Sequence, residues 1–238
     1  MAAVAEKVIG IVGGMGPEST AELLLRITRA TPARVEQDHL RVVIDSNPKI
    51  PNRTEALLSG EVEPVVAALA DTARNLAKAG AQVIGIACNT AHAFLGEVRA
   101  AVKVPVLDMV EEAARAARAR FGEGAVVGLL ATDGTLRTRL FQEALDRAGL
   151  VGIAPPTPGV QHAVMDALDA VKLHGPSEEA YRVLALAVRD LVAQDVRALI
   201  AGCTEVSLVL ARYPPELPWL DSVQVLAEAL VREARGGR

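Results

Sequence analysis

Aromatic side chains are scarce in this sequence: phenylalanine, tryptophan and tyrosine make up 3% of its 238 residues. Protein surfaces that stack nucleic-acid bases are built from such rings, so a base-stacking platform is excluded. Blocks of like charge are also missing, and the net charge of −4 leaves no basic footprint for nucleic acid. Apolar residues, mainly alanine, valine and leucine, account for 51% of the chain, which is enough for a large buried core.

Export and membrane signals are equally weak. The opening segment MAAVAEKVIGIVGG has no basic leader followed by an apolar block and a small-residue cleavage site. The longest uncharged stretch, residues 79–96, contains Gln82, Asn89, Thr90 and His92, which fits a buried strand and its turn better than a membrane helix. We therefore expect a cytoplasmic protein without a membrane partner, in which the two cysteines stay reduced.

Common nucleotide and metal motifs are incomplete. The turn Gly13-Gly14-Met15-Gly16 has Ser19 where a dinucleotide-binding GxGxxG segment needs its last glycine, and no P-loop lysine follows. Neither cysteine has a CxxC or HxxxH partner that would indicate zinc. We therefore expect no metal, and we interpret the glycine turn as a contact for a small anion.

Apolar runs typical of strands alternate with segments of helical periodicity. Predicted strands cover residues 8–12, 40–44, 82–87, 104–107, 125–131 and 198–201. Predicted helices follow Ser19 or Thr20 and cover residues 65–79, 140–148, 161–171, 177–193 and 223–234, while DSNPKIPNRTEA (45–56) is predicted to be irregular. This alternation indicates an α/β fold built from βαβ units with parallel sheets.

The two halves of the chain resemble each other. VIGIVGGMG (8–16) matches VVGLLATDG (126–134) at an offset of 118, and AQVIGIACNTAH (81–92) matches RALIAGCTEVS (197–207) at an offset of 115. Two matches in the same order at nearly one separation indicate an internal duplication. We predict two similar α/β domains related by a pseudo-twofold axis: residues 1–107 with 218–238, and residues 108–217.

Cys88 and Cys203, the only cysteines, occupy equivalent places in this duplication. Each follows an apolar strand and precedes residues that can cap a helix, a position where ligands bind in α/β sheets and where a helix N-terminus lowers a thiol pKa. Taken singly, either could be a small buried core residue. Two opposed thiols fit a reaction in which one group removes a proton from one face of a carbon and the other delivers a proton to the opposite face.

Several segments resemble the aspartate/glutamate racemase family, and most closely its aspartate racemases. They are GIVGGMGPEST, TPARVEQDH, SNPKIPNRT, ACNTAHAF, LLATDGT and AGCTEVSLVL. Glutamate racemases usually have a histidine after the second Cys-Thr, where this chain has Glu205. The resemblance implies two Rossmann-like domains with the active site in the cleft between them, no pyridoxal phosphate, no metal, and racemisation of an acidic amino acid such as aspartate. Because family members are often dimers, it also implies a homodimer.

The resemblance also implies roles for individual residues. Cys88 and Cys203 would be the two catalytic bases. Arg53 would grip the side-chain carboxylate of the substrate, a task suited to the guanidinium fork, and Lys172 would be a second ligand of that carboxylate. Substrate-binding residues close to the catalytic pair would be Asn89, Thr90 and Thr204, joined by Met15, Thr132, Thr135 and Glu205.

Some assignments stay open at this level. The family commonly has threonine or serine where this chain has Asp133, which either faces solvent or marks a different amino-acid substrate. His92 either tunes Cys88 or is structural, and Glu205 either activates Cys203 or caps the helix. Alternative functions are a broad-specificity amino-acid racemase, a maleate isomerase-like enzyme, an arylmalonate decarboxylase, which typically keeps one cysteine, and a small-molecule binding protein.

Overall fold

The computed structural model describes residues 6–237, which form two compact α/β units. Of the described residues, the first unit comprises 6–109 with 223–237, and the second comprises Val110–Ser222. The sequence-based boundaries lie after residues 107 and 217, whereas those of the structure lie after residues 109 and 222. Residues 1–5 and 238, which the sequence assigns to the first domain, lie outside the described part of the chain.

The first unit contains a parallel three-stranded sheet. Its strands are β1 (Ile9–Gly13), β2 (Val42–Ser46) and β3 (Val83–Ile86), in the order β2-β1-β3. The helices that accompany them are α1 (Pro17–Ala30), α2 (Arg53–Ser59), α3 (Glu63–Lys78) and α4 (Leu95–Ala101), with 3-10 turns at Glu36–Asp38 and Thr90–Phe94. The predicted strand at 104–107 is only a single bridge between Val106 and Ile84, because Pro105 cannot donate a ladder hydrogen bond.

The second unit repeats this arrangement with one more strand. Strands β4 (Val126–Ala131), β5 (Val151–Ile153), β6 (Ala198–Gly202) and β7 (Trp219–Asp221) are parallel, in the order β5-β4-β6-β7. Its helices are α5 (Met109–Phe121), α6 (Asp133–Arg137), α7 (Leu140–Arg147), α8 (Pro158–His174), α9 (Glu178–Val192) and α10 (Thr204–Arg212), and the last helix, α11 (Ser222–Ala234), returns to the first unit. The alternation predicted from sequence therefore gives an α/β fold with two parallel sheets.

Strand register agrees with the duplication seen in the sequence. Gly10 pairs with Ile84 in the first sheet, and Gly128 pairs with Leu199 in the second. Adding the two offsets to the first pair gives the second pair, since 10 + 118 = 128 and 84 + 115 = 199. The strands that precede Cys88 and Cys203 therefore pair in the same register with the central strand of their own sheet.

Strands β1 and β3 are buried on both faces, which explains why they contain only apolar residues and glycine. Along β1, Ile9 and Ile11 pack in a core that includes Leu226 and Leu230 of α11, whereas Val12 belongs to a core on the other side with residues of α3 and α4. Because side chains alternate across a strand, no position of β1 is left for a polar residue. Polar side chains therefore follow β1 and β3 rather than lie within them, whereas the half-buried edge strand β2 itself ends in Asp45 and Ser46.

The turn after β1 is held by its neighbours. Gly14 has φ +94°, and a Cβ there would lie 2.3 Å from the carbonyl carbon of Asn47, so this position requires glycine. Thr20 Oγ1 accepts a hydrogen bond from Gly14 N at 2.8 Å and donates one to Gly16 O at 2.9 Å. The backbone at the carboxyl end of β1 is thus fixed from two sides.

Three short elements depart from the sequence-based prediction. Irregular structure was predicted through residue 56, but α2 begins at Arg53, because Asn52 Oδ1 caps it by accepting from Thr54 N at 3.0 Å and Glu55 N at 3.4 Å. Strands β5 and β7 were not predicted, since three residues are too few for a periodic signal. None of the helices formed by residues 6–237 combines the length and apolarity needed to span a bilayer.

Candidate active-site residues

Cys88 lies two residues beyond β3, at the carboxyl end of the first sheet. Its side chain is 6% exposed and belongs to the same buried cluster as Met15 and Ala91. The cysteine is therefore in a largely apolar setting, and Met15, predicted to contact substrate, is a core residue on the same side of the sheet. A 3-10 turn, Thr90–Phe94, follows the cysteine instead of an immediate α-helix.

His92 holds the backbone of this segment. Its Nδ1 lies 2.8 Å from Cys88 O, and its Nε2 accepts a hydrogen bond from Met109 N at 3.1 Å. Because Met109 N can only donate, Nε2 must be unprotonated and Nδ1 must carry the hydrogen that binds Cys88 O. Burial is the main reason that the pKa of His92 is lowered. The side chain thus serves as a neutral strut that positions the Cys88 carbonyl.

Replacing His92 by glutamine is expected to change how stability depends on pH. The unfolded chain takes up a proton near pH 6.5, whereas the folded His92 resists protonation. Its contribution to stability is therefore present above pH 6.5 and is lost as the pH falls below it, by up to roughly 1.4 kcal/mol per pH unit. The free energy of unfolding, measured with urea, should differ less between pH 7.5 and pH 5.5 for His92→Gln than for the unchanged chain.

The matched control for that measurement is His174→Gln, because His174 is exposed on α8. This variant should keep the pH dependence of the unchanged chain. An equal change in the free energy of unfolding between pH 7.5 and 5.5 for His92→Gln and for the unchanged chain would show that His92 is not held neutral by its two hydrogen bonds.

Asn89 stands out because its polar atoms lack partners. The side chain is 2% exposed, and neither its Oδ1 nor its Nδ2 makes a hydrogen bond within residues 6–237. It does not cap the 3-10 turn as its place in the sequence led us to expect. Leaving a buried amide unpaired costs about 1–3 kcal/mol, so this side chain is suited to a ligand. Thr90 beside it is also buried.

Arg53, the first residue of α2, is partly committed to its own loop. Its Nη1 donates to Ile50 O at 3.2 Å and to Pro51 O at 2.9 Å, while its Nε is buried and has no hydrogen-bond partner among the described residues. The guanidinium is thereby oriented by the backbone and keeps donors for an anion. Asn52 and Pro51 of the PNRT segment produce this placement.

Cys203 directly follows β6 and occupies the N-cap position of α10. Its Sγ donates to Glu205 Oε2 at 2.9 Å, and Thr204 Oγ1 donates to the same oxygen at 3.0 Å. Burial, followed by the charge and the accepting oxygen of Glu205, raises the pKa of this thiol well above its usual range. The lowered thiol pKa expected at a helix N-terminus is therefore wrong for Cys203, since burial and Glu205 outweigh the helix.

Lys172 lies near this group. Burial opposes its charge, but the hydrogen bond to Asp169 and the electrostatic interactions with Cys203, Asp169 and Glu205 together raise its pKa. Its Nζ is 2.6 Å from Asp169 Oδ1, and its side chain is 28% exposed. The lysine is thus a cation within electrostatic reach of Cys203 that is already paired with one carboxylate.

Thr132 and Thr135 belong to the turn after β4. Thr132 Oγ1 caps α6 by accepting from Thr135 N at 3.2 Å, and the two hydroxyl oxygens lie 3.0 Å apart. Asp133 between them is half-buried, and its Oδ1 accepts from Gln161 Nε2 at 2.8 Å. Gln161 lies on α8 and has no recognisable motif around it, so sequence reasoning did not assign it to the site.

The residues predicted for the site therefore lie in two groups, each at the carboxyl end of one sheet. The first unit holds Cys88 with its neighbours Asn89 and Thr90, as well as Met15 and Arg53; the second holds Cys203, Thr204 and Glu205, as well as Thr132, Thr135 and Lys172. Across residues 6–237, no group of three or more histidine, cysteine, aspartate or glutamate side chains is arranged to hold a metal ion.

Comparison with known proteins gives matches along nearly the whole chain. The sequence model of the family described as Asp/Glu/Hydantoin racemase matches residues 12–230. The broad specificity amino-acid racemase RacX of Bacillus subtilis (strain 168) is 27% identical over 227 residues, which cover 94% of this chain and 96% of RacX. A glutamate racemase of Pseudomonas entomophila (strain L48) is 32% identical over 164 residues, which cover 66% of this chain and 59% of that protein.

Among solved structures, the Picrophilus torridus aspartate racemase is similar in fold. It has a TM-score of 0.83 and 30% identity, and the match covers 96% of this chain and 94% of that one. Both the sequence comparison and the fold comparison thus match amino-acid racemases, and the matched racemases differ in their named substrates.

Proposed function

Because the chain belongs to the Asp/Glu/Hydantoin racemase family, we propose that it racemises aspartate with Cys88 and Cys203 as its two acid–base groups and without a cofactor. The observation that carries this proposal is the equivalent placement of the two thiols. Each follows a strand that pairs in the same register with the central strand of its sheet. A single reactive cysteine would not require such a repetition.

In this mechanism one cysteine acts as a thiolate and the other as a thiol. The thiolate takes the α-proton from one face, and the electron pair of the broken C–H bond stays on the carbon. The thiol then delivers its proton to the opposite face, and the inverted amino acid leaves. Since Cys203 donates to Glu205, we assign Cys203 as the initial acid and Cys88 as the initial base.

The negative charges of the substrate would be bound by Asn89 and Arg53, which both have side-chain atoms without a hydrogen-bond partner among the described residues. The unpartnered amide of Asn89 would bind the substrate α-carboxylate, where negative charge develops when the α-proton leaves. The oriented guanidinium of Arg53 would bind the carboxylate of the substrate side chain. Glu205 would accept the proton of Cys203 when the reaction runs in the other direction.

The test is incubation with single L-amino acids in D2O, followed by NMR of the α-proton and chiral analysis of the product. We expect loss of the α-proton signal and formation of the D-enantiomer with aspartate, with no change after treatment with a chelator. Absence of α-proton exchange across a broad panel of amino acids would reject racemisation and favour a small-molecule binding protein.

A second candidate is racemisation of a broad range of amino acids. It is favoured by RacX, a broad specificity amino-acid racemase that matches 94% of this chain. Similar kcat/KM values for aspartate and several neutral amino acids in the same panel would select this candidate.

Arg53→Lys tests the aspartate assignment. Lysine keeps the positive charge but loses the planar fork, so KM for aspartate is expected to rise about tenfold or more, while KM for alanine changes little. Arg74→Lys, an exposed pair partner of Asp71 on α3, is the control and should leave both values unchanged. An equal rise in KM for aspartate and for alanine would mean that Arg53 does not bind the substrate side chain.

A further inference from the structure

Gln161 links α8 to the end of β4. Its Nε2 donates to Ala131 O at 3.1 Å and to Asp133 Oδ1 at 2.8 Å, so both amide hydrogens are used. These two bonds fix the orientation of the amide, and they leave the Oε1 atom as its remaining hydrogen-bonding group. The Asp133 backbone is held as well, since Asp133 N donates to Met165 Sδ at 3.3 Å.

Two acceptor atoms remain at this place. Gln161 Oε1 is buried without a hydrogen-bond partner among residues 6–237, and Asp133 accepts its one side-chain hydrogen bond through Oδ1, which leaves Oδ2 available. A carboxylate oxygen beside an amide oxygen has no donor of its own to offer. These two oxygens are therefore suited to bind a hydrogen-bond donor, and a donor group with a positive charge and several hydrogens would fit them best.

The position of Asp133 places this pair close to Cys203. Ala131 and Gly202 are register partners on β4 and β6, and adjacent strands lie about 4.8 Å apart. Cys203 comes one residue after Gly202, and Asp133 comes two residues after Ala131. The duplication agrees, because 15 + 118 = 133 makes Asp133 the counterpart of Met15, which shares a buried cluster with Cys88.

We infer that Asp133, held by Gln161, binds the α-ammonium group of the substrate. This assignment rests on the proposed racemisation, in which a cysteine must reach the α-carbon to which the ammonium is directly bonded. A group that binds the ammonium must therefore lie near a cysteine, as Asp133 does, whereas a ligand of the substrate side chain would lie farther away. Asp133 makes the direct contact, and Gln161 is a positioning residue that also offers Oε1.

The contact would assist the chemistry as well as binding. An ammonium group next to the α-carbon stabilises the negative charge that forms there when the proton leaves. A neighbouring carboxylate keeps the ammonium protonated to higher pH. A neutral residue at position 133 would give up this assistance for every amino acid, whatever its side chain.

Asp133→Asn tests the inference with two substrates, L-aspartate and L-alanine. The asparagine can still accept from Gln161, but it loses the charge-assisted bond to the ammonium, so KM is expected to rise roughly 10- to 100-fold for both substrates by the same factor. Asp133→Thr, which introduces a residue common in the family, should raise KM for both substrates by a similar factor. Asp166→Asn is the matched control, because that aspartate lies exposed on the same helix as Gln161.

A second readout separates binding of the ammonium from a structural role. On the alkaline side of the pH profile, kcat should fall at a lower pH for Asp133→Asn than for the unchanged chain. The reason is that the bound ammonium deprotonates more easily without the neighbouring carboxylate. Improved kcat/KM for aspartate but not alanine would show that Asp133 instead faces the substrate side chain, and would overturn the inference. Unchanged kinetics for both substrates would overturn it too, while α-proton exchange by the unchanged chain would leave the proposed racemisation standing.

Discussion

Replacement of Cys88 or Cys203 by serine is expected to slow the racemisation of aspartate at least a thousandfold. A serine hydroxyl holds its proton far more tightly than a thiol, so it can replace neither the thiolate that accepts the α-proton nor the acid that returns one. The inversion needs one group to remove the α-proton and the other to return a proton, so the loss of either stops the cycle. Chiral chromatography of the product, starting from L- and from D-aspartate, measures the effect.

The double variant provides a further check of the same idea. Because the two cysteines act in one reaction, Cys88→Ser combined with Cys203→Ser should be about as slow as either single variant, rather than slower by the product of the two losses. Circular dichroism should show that all three variants remain folded, since serine is close in size to cysteine. Substantial racemisation in either single variant would contradict the assignment of that cysteine.

Glu205→Gln is expected to slow racemisation roughly 100-fold or more in the direction in which Cys203 removes the α-proton, because it removes the group proposed to accept the Cys203 proton. The same change should lower the pKa of Cys203, since the charge of Glu205 and its accepting oxygen both raise it. Burial, the largest cause, is unchanged, so the pKa should remain above its usual value.

The measurement for Glu205 uses the scarcity of cysteine in this chain. In a Cys88→Ser background Cys203 is the only thiol, so thiolate absorbance near 240 nm against pH reports its ionisation alone. The midpoint should move to lower pH in Glu205→Gln and stay in place in Glu216→Gln, a control that alters an exposed glutamate of the same unit. An unchanged midpoint in Glu205→Gln would show that Glu205 does not control this thiol.

Much of the fold could be predicted from the sequence because the duplication fixes strand pairing. The offsets of 118 and 115 connect the pair Gly10–Ile84 to the pair Gly128–Leu199, and strand ends then place Cys88 and Cys203 at the carboxyl ends of their sheets. The short strands β5 and β7 were missed, since each has three residues and takes its position from the neighbouring strand.

The electrostatics of the site could not be predicted in the same way. The raised pKa of Cys203 depends on its burial and on the direction in which Glu205 points, and a sequence reports neither. Gln161 was missed because its partners, Ala131 and Asp133, are 30 and 28 residues away along the chain. The neutral form of His92 follows from its contact with Met109, which lies 17 residues away.

The central claim is that two different groups handle the proton on the two faces of the α-carbon. It is tested most directly by converting L-aspartate in D2O to a few per cent, separating the enantiomers and measuring deuterium at the α-carbon of each by mass spectrometry. With two bases, the D-aspartate formed should carry deuterium, while the recovered L-aspartate should keep its hydrogen, because the accepting thiol returns the proton it took. Equal deuterium in both enantiomers, or α-hydrogen retained in the product, would contradict the two-cysteine account.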